Sequence, residues 1–205
     1  MRPVDIYPRL LAENYQKWPN RVAVREKDYG IWNKYTWKDC YERVKYLSLG
    51  LISLGLKSGD RVAIIGNEEP EGTWAICATY SAGALAVPLY ADSHPDELEY
   101  LLTDSGARFV VVEDQEQVDK MLLLKGKLPH MEKVIWWDPL GMRRYDDPIL
   151  TSYQQVMELG KKYEVTHPGA FEASIARIEP DDFAQLTYTS GTTGKPKGTV
   201  QTHGG

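Results

Sequence analysis

The sequence predicts an α/β fold, a doubly wound and mostly parallel sheet with helices flanking both faces. Four short runs, RVAIIG (61–66), ALAVPLY (84–90), RFVVVED (108–114) and KVIWWD (133–138), are nearly continuous in apolar residues and rich in Val and Ile. Strands buried on both faces read this way. Helix-length stretches separate the runs, at 71–81, 95–104 and 114–124. Strand–helix alternation with right-handed crossovers gives a parallel sheet. The chain has 205 residues, 42% of them hydrophobic, enough for a real core.

Each element has its own signal. Ile6, Leu10, Leu11 and Tyr15 recur at helical spacing and predict an opening helix that stops before Pro19-Asn20. RVAVREK (21–27) and IWNKYTW (31–37) alternate around the turn DYG (28–30), which predicts a hairpin. Thr36 with Asp39 marks a helix start; Cys40, Val44, Leu47, Leu51 and Leu54 share its apolar face, and Gly55 sits at its expected end. After the four strands, PLGMRRYDDP (139–148) is a polar connector, followed by a helix from Thr151 to Tyr163. HPGAFEASIARIEPDD (167–182) reads as a further helix and a turn. FAQLTYT (183–189) reads as a strand, and GTVQT (198–202) as its antiparallel return. The chain divides into a helix, hairpin and long helix over 1–60, a parallel α/β core over 61–150, and a helical connector with a final strand over 151–205.

Composition narrows the partners. A formal charge of -5 and interspersed acids and bases, as in REKD (25–28) and YERVKY (41–46), argue against nucleic acid, which needs a basic stripe. Cys40 and Cys77 lie in helix-like apolar patterns and suggest buried thiols. The segment 75–90 is interrupted by Thr79, Ser81, Gly83 and Pro88, too broken for a membrane span, and the N-terminus has charges where a signal peptide would be apolar. A cytoplasmic location, with peripheral membrane contact open, is the expectation. His94, His130, His167 and His203 have no ligand spacing, so no metal site is expected. Trp74, Trp136 and Trp137 read as core or interface aromatics. Asp96-Glu97 and Asp181-Asp182 read as helix-start or turn acids.

The densest chemistry is TYTSGTTGKPKG (187–198). Ser190, Thr192 and Thr193 offer hydroxyls, Gly191 and Gly194 expose backbone amides, and Lys195 and Lys197 add charge. Together they make an anion nest whose natural guest is phosphate. A hairpin loop with local hydroxyl bonds is the simpler alternative. The spacing is not that of a Walker loop, since Gly191 is followed five positions later by Pro196, and no G-x-G-x-x-G occurs.

LTYTSGTTGKPKG (186–198) resembles the phosphate loop of the AMP-forming adenylating superfamily of acyl-CoA synthetases, luciferases and peptide-synthetase adenylation domains. The similarity extends over 35–71, GALAVPLY (83–90) and LEYLLTDSGARFVVVED (98–114). The segment 114–147 is most similar to bacterial long-chain fatty acyl-CoA synthetases. The resemblance implies part of that family's large N-terminal domain and a two-step reaction. A fatty carboxylate attacks ATP to give acyl-AMP, and CoA then takes the acyl group. It implies that Thr189, Ser190, Gly191, Thr192, Thr193, Gly194, Lys195 and Lys197 bind ATP, with Mg²⁺ carried on the phosphates and CoA as co-substrate. The family's Tyr-Gly-x-Thr-Glu and Thr-Gly-Asp blocks and its catalytic lysine are not among these residues. The chain therefore reads as an N-terminal fragment, inactive alone and with no complete catalytic set. An inactive α/β binding module with a relic loop, or another adenylating enzyme, is the alternative. Two departures stand out: Gly72, where relatives often carry Trp, is expected to loosen helix packing, and Gly204-Gly205 replace an Arg-Asn-like pair.

Overall fold

The structure is a computed structural model and describes residues 6–189 and 194–205. Helix α1 (Tyr7–Lys17) is followed by an antiparallel hairpin of β1 (Val22–Asp28) and β2 (Ile31–Thr36), which forms a sheet of its own. The long helix α2 (Trp37–Ser53) starts at a capping box. Thr36 accepts from the Asp39 amide, and the Asp39 carboxylate accepts from the Thr36 amide.

The parallel core alternates as expected: β3 (Arg61–Ile65), α3 (Pro70–Ser81), β4 (Leu85–Leu89), α4 (Pro95–Ser105), β5 (Phe109–Val112), α5 (Gln115–Leu124) and β6 (Lys133–Trp136). Pro70 and Pro95 open α3 and α4, where the missing N–H costs nothing. Gly106 ends α4 at φ +61°, a left-handed conformation that suits glycine. The sequence reading places a helix from Thr151. The structure instead places a short strand β7 (Leu150–Ser152) there and begins α6 at Tyr153, running to Thr166. Ser152 caps that helix, with Gln155 completing the box. Helix α7 (Ala170–Ala176) leads to β8 (Phe183–Thr189) and β9 (Lys197–Thr202).

Among the described residues the main sheet has the order β7-β6-β5-β3-β4-β8-β9, parallel except for the β8–β9 pair. Its central strands, β3 and β5 above all, are buried on both sides. On β3, Val62 and Ile64 belong to the core under α2, α3, α6 and α7, while Ala63 and Ile65 belong to the core under α4 and α5. That double burial is why the runs lack polar alternation. Helices α3 and α5, which follow the neighbouring strands β3 and β5, lie on opposite faces, and the loops at the carboxyl ends of these strands meet at a topological switch point.

Candidate functional site

Strand β8 carries the hydroxyl-glycine motif to the carboxyl edge of the sheet, and β9 brings it back. Thr189 pairs with Lys197 and Tyr188 with Gly198, so the segment 190–196 is closed at its base by a strand ladder. Of the eight residues read as ATP-binding, Thr189, Gly194, Lys195 and Lys197 are described, whereas Ser190, Gly191, Thr192 and Thr193 lie outside the described residues. Gly194 has φ +140°, a backbone conformation that side chains disfavour. Thr189 and Lys197 are both exposed, opposite one another at the loop's base.

The two lysines differ in setting. The Lys195 ammonium sits over the ring of Tyr100, 4.7 Å from its centroid, on helix α4. Lys197 projects from the first position of edge strand β9. Tyr100 also donates its phenolic hydrogen bond to the Pro196 carbonyl at 3.0 Å. One turn further along α4, Asp104 accepts from the Tyr188 hydroxyl at 2.7 Å. Burial first, and the Asp104 carboxylate next, raise the Tyr188 hydroxyl above the usual phenol range. Sequence reasoning assigned Tyr100, Asp104 and Tyr188 no part in this site. Their i, i+4 spacing in LEYLLTDS showed only that Tyr100 and Asp104 share a face.

A cleft lined by Ile64, Gly66, Thr73, Ile76, Pro88 and Tyr188 lies at the carboxyl ends of β3, β4 and β8, the usual place for a ligand in an open α/β sheet. Acidic groups cluster at its rim and beyond. Asn67 donates from its backbone and side chain to Glu113, and Trp137 donates to Glu69 at 2.8 Å. Burial pushes the Glu69 carboxyl up, and the Trp137 bond opposes that shift. Among the described residues no group of three or more His, Cys, Asp or Glu is arranged to hold a metal.

The remaining singled-out residues have structural settings. Cys40 and Cys77 are buried free thiols, and burial pushes Cys77 up to about 12. Trp74 is buried, and Trp136 and Trp137 are half-buried. His94 caps α4, His130 meets the Leu102 carbonyl, and His167 stacks on Tyr163. His203 lies edge-on to Tyr80, and its amide donates to the Asp182 carbonyl. That is the far end of the β8–β9 ladder, roughly 20 Å from the loop. Burial lowers the imidazole pKa there.

Residues 11–205 match the AMP-binding enzyme family. Over 202 residues the chain is 32% identical to the long-chain-fatty-acid–CoA ligase ACSBG2 of Xenopus laevis, covering 98% of this chain and 26% of that protein. It is 30% identical over 196 residues to the long-chain-fatty-acid–CoA ligase FadD15 of Mycobacterium bovis, covering 95% of this chain and 30% of that protein. The chain thus spans between a quarter and a third of the length of these curated relatives. In solved structures, the anthranilate CoA ligase AuaEII superposes with a TM-score of 0.81 at 23% identity, over 99% of this chain and 36% of that one. A likeness at that identity concerns the fold alone. With the family match running through the core strands, helix α4 and the β8–β9 hairpin, the chain belongs to the AMP-binding enzyme family.

Proposed function

We propose that this chain supplies the phosphate-loop part of an ATP-dependent long-chain fatty acid–CoA ligase. One observation carries the reading: the TYTSGTTGKPKG motif sits on a strand-closed hairpin at the carboxyl edge of a parallel sheet, with lysines at its exit. In the first half-reaction the fatty carboxylate attacks the ATP α-phosphate, forming a mixed acyl–phosphate anhydride and releasing pyrophosphate. In the second, the CoA thiolate attacks the acyl carbon, forming a thioester and releasing AMP.

Charge builds on the leaving pyrophosphate, so donors aimed at it lower the barrier. The hydroxyls of Ser190, Thr192 and Thr193 and the amides of Gly191 and Gly194 bind the β- and γ-phosphates, and Thr189 closes the base. Lys197 neutralises phosphate charge, with Lys195 as the secondary cation. The described part of the loop, residues 194–197, carries two cations, which suits phosphate oxygens. Mg²⁺ supplies further neutralisation of the triphosphate when bound. The chain acts with the regions that complete its longer relatives, in the cytoplasm, and touches membranes peripherally through the exposed hairpin.

The test is acid-dependent exchange of labelled pyrophosphate into ATP, measured on the longer protein that contains this chain. Lys197→Ala lowers the exchange rate by about 100-fold. An unchanged rate removes Lys197 from the site. No exchange by the folded wild-type protein with any long-chain acid favours the inactive binding module.

A further inference from the structure

We propose that Tyr100 and Asp104 are positioning residues that clamp both ends of the phosphate loop to helix α4. The inference rests on the phosphate-loop reading above and goes beyond the loop's own residues. Strand β8 lies beside β4, but its registered ladder pair with it is Ala86–Gln185, and Leu186–Thr189 are hydrogen-bonded antiparallel to β9. Among the described residues β9 is the last strand on that side of the sheet, and it is exposed over most of its length. Side chains add a further support at the outgoing end of the hairpin.

Helix α4 gives that support. It is fixed at its start by His94 and Pro95, at its end by Gly106, and along its inner face by buried Leu98, Leu101, Leu102 and Ser105. Tyr100 and Asp104 stand one turn apart on the face turned to the hairpin. Asp104 holds the ascending foot of the loop through the Tyr188 hydroxyl, one residue before Thr189. Tyr100 holds the descending foot twice, by its hydroxyl at the Pro196 carbonyl and by its ring under Lys195. Pro196 has no N–H, so its carbonyl is its only backbone hydrogen-bonding group. Fixing both feet sets where the loop's donors meet the leaving pyrophosphate, and misplacement by about 1 Å can cost ~100-fold in rate.

Four variants of the longer protein test the clamp. Tyr100→Phe removes the hydroxyl and keeps the ring under Lys195, whereas Tyr100→Leu removes both. Asp104→Ala removes the acceptor for Tyr188, and Asp104→Asn keeps one. Tyr100→Phe and Asp104→Ala should each lower kcat/KM for ATP in pyrophosphate exchange by at least ~10-fold. KM for the fatty acid should stay constant, and the melting temperature should move by less than ~2 °C. Tyr100→Leu should lose more than Tyr100→Phe, and Asp104→Asn should recover most of the Asp104→Ala loss. Equal kcat/KM for ATP in wild type, Tyr100→Phe and Asp104→Ala overturns the clamp, as does a loss that Asp104→Asn fails to recover. Hydrogen exchange at the Lys195 and Lys197 amides reads the clamp without catalysis. Faster exchange in Tyr100→Phe and Asp104→Ala supports it even if the wild type proves not to be a ligase, and unchanged exchange overturns it.

Discussion

The indole of Trp137 donates to Glu69 at 2.8 Å while its ring lies across Gly66 and beside Gly72. Three segments meet there: the end of β3, the first turn of α3 and the residue after β6. The Gly72 position, expected from sequence to loosen helix packing, is buried, and the Trp137 ring from another strand end lies 3.8 Å from where its Cβ would stand. At Gly66 there is no such room. A methyl there would enter the indole ring and crowd the Glu113 side chain. Gly66→Ala should destabilise the protein by about 1–3 kcal/mol through overpacking. In a Trp137→Leu background the penalty should shrink, and urea unfolding of the four proteins in that cycle gives the coupling directly. An additive cycle would show that Trp137 does not enforce the glycine.

Helices α2 and α6 approach closely at Gly50 and Gly160. A Cβ on Gly160 would run into the Tyr46 carbonyl and the Gly50 amide, and one on Gly50 into the Val156 carbonyl. Replacing a mid-helix glycine by alanine ordinarily gains roughly 0.5–1 kcal/mol from backbone entropy. Here the obstacles are backbone atoms, which cannot rotate away. Gly160→Ala should therefore reverse that sign and lower stability by at least ~1 kcal/mol in denaturant unfolding. A stabilised variant would mean the helices can separate freely.

The same contrast explains what could be read from sequence. Val62 to Ile65 and Phe109 to Val112 announce their strands because both faces are buried, and Thr36 and Asp39 announce α2 because capping is local. The final strand and its antiparallel return were also legible, since the motif turns between them. The approach of Gly50 to Gly160 was not, because the partners are remote in sequence and glycine carries no pattern of its own. Strand β7 was missed because three residues are too few for a period, and its Thr151-Ser152 reads as a helix cap. In the site, the loop announced itself through rare composition. The Tyr100 and Asp104 contacts did not, because a tyrosine and an aspartate on a helix face look like any half-exposed pair.

The capping box of α2 makes a pH prediction. Asp39 accepts from the Thr36 hydroxyl at 2.6 Å and from its amide at 2.7 Å, and these two bonds, in that order, hold its carboxyl below the usual value of 3.8. A carboxyl whose pKa is lower folded than unfolded stabilises the fold fully above the unfolded value, and that contribution is lost as pH falls through the folded value. Asp39→Asn should thus cost roughly 0.5–1 kcal/mol near neutrality and flatten the pH dependence of stability below about pH 4. The matching box on α6 uses Ser152 and Gln155, neither of which titrates. Ser152→Ala should cost a similar amount with no change of slope, and unfolding curves recorded from neutral pH to pH 3 compare the two. An unchanged slope in Asp39→Asn would exclude this carboxyl as a source of acid sensitivity.

The hairpin offers a test of membrane contact. No helix among the described residues is long and apolar enough to cross a membrane. Arg25 pairs with Lys34 and Lys27 with Trp32, which puts three cations and an indole on one face of the ribbon. The acid between them, Glu26, lies on the opposite face and accepts from Tyr35 at 3.1 Å. At the tip, Tyr29 and Gly30 take φ values of +44° and +84°, the tight turn that leaves Tyr29 and Ile31 96% and 69% exposed. An indole beside cations suits the boundary between anionic headgroups and acyl chains. Each cation near such a surface contributes about 1 kcal/mol, screened by salt. The protein should co-sediment with vesicles of equal parts phosphatidylserine and phosphatidylcholine, and much less with phosphatidylcholine alone. Lys27→Glu with Lys34→Glu should weaken that binding by at least ~10-fold, because two attractions become repulsions. Trp32→Ala should weaken it with little change in salt dependence. Equal binding to both vesicle types would place the membrane contact elsewhere, since only the charged face distinguishes the two lipids.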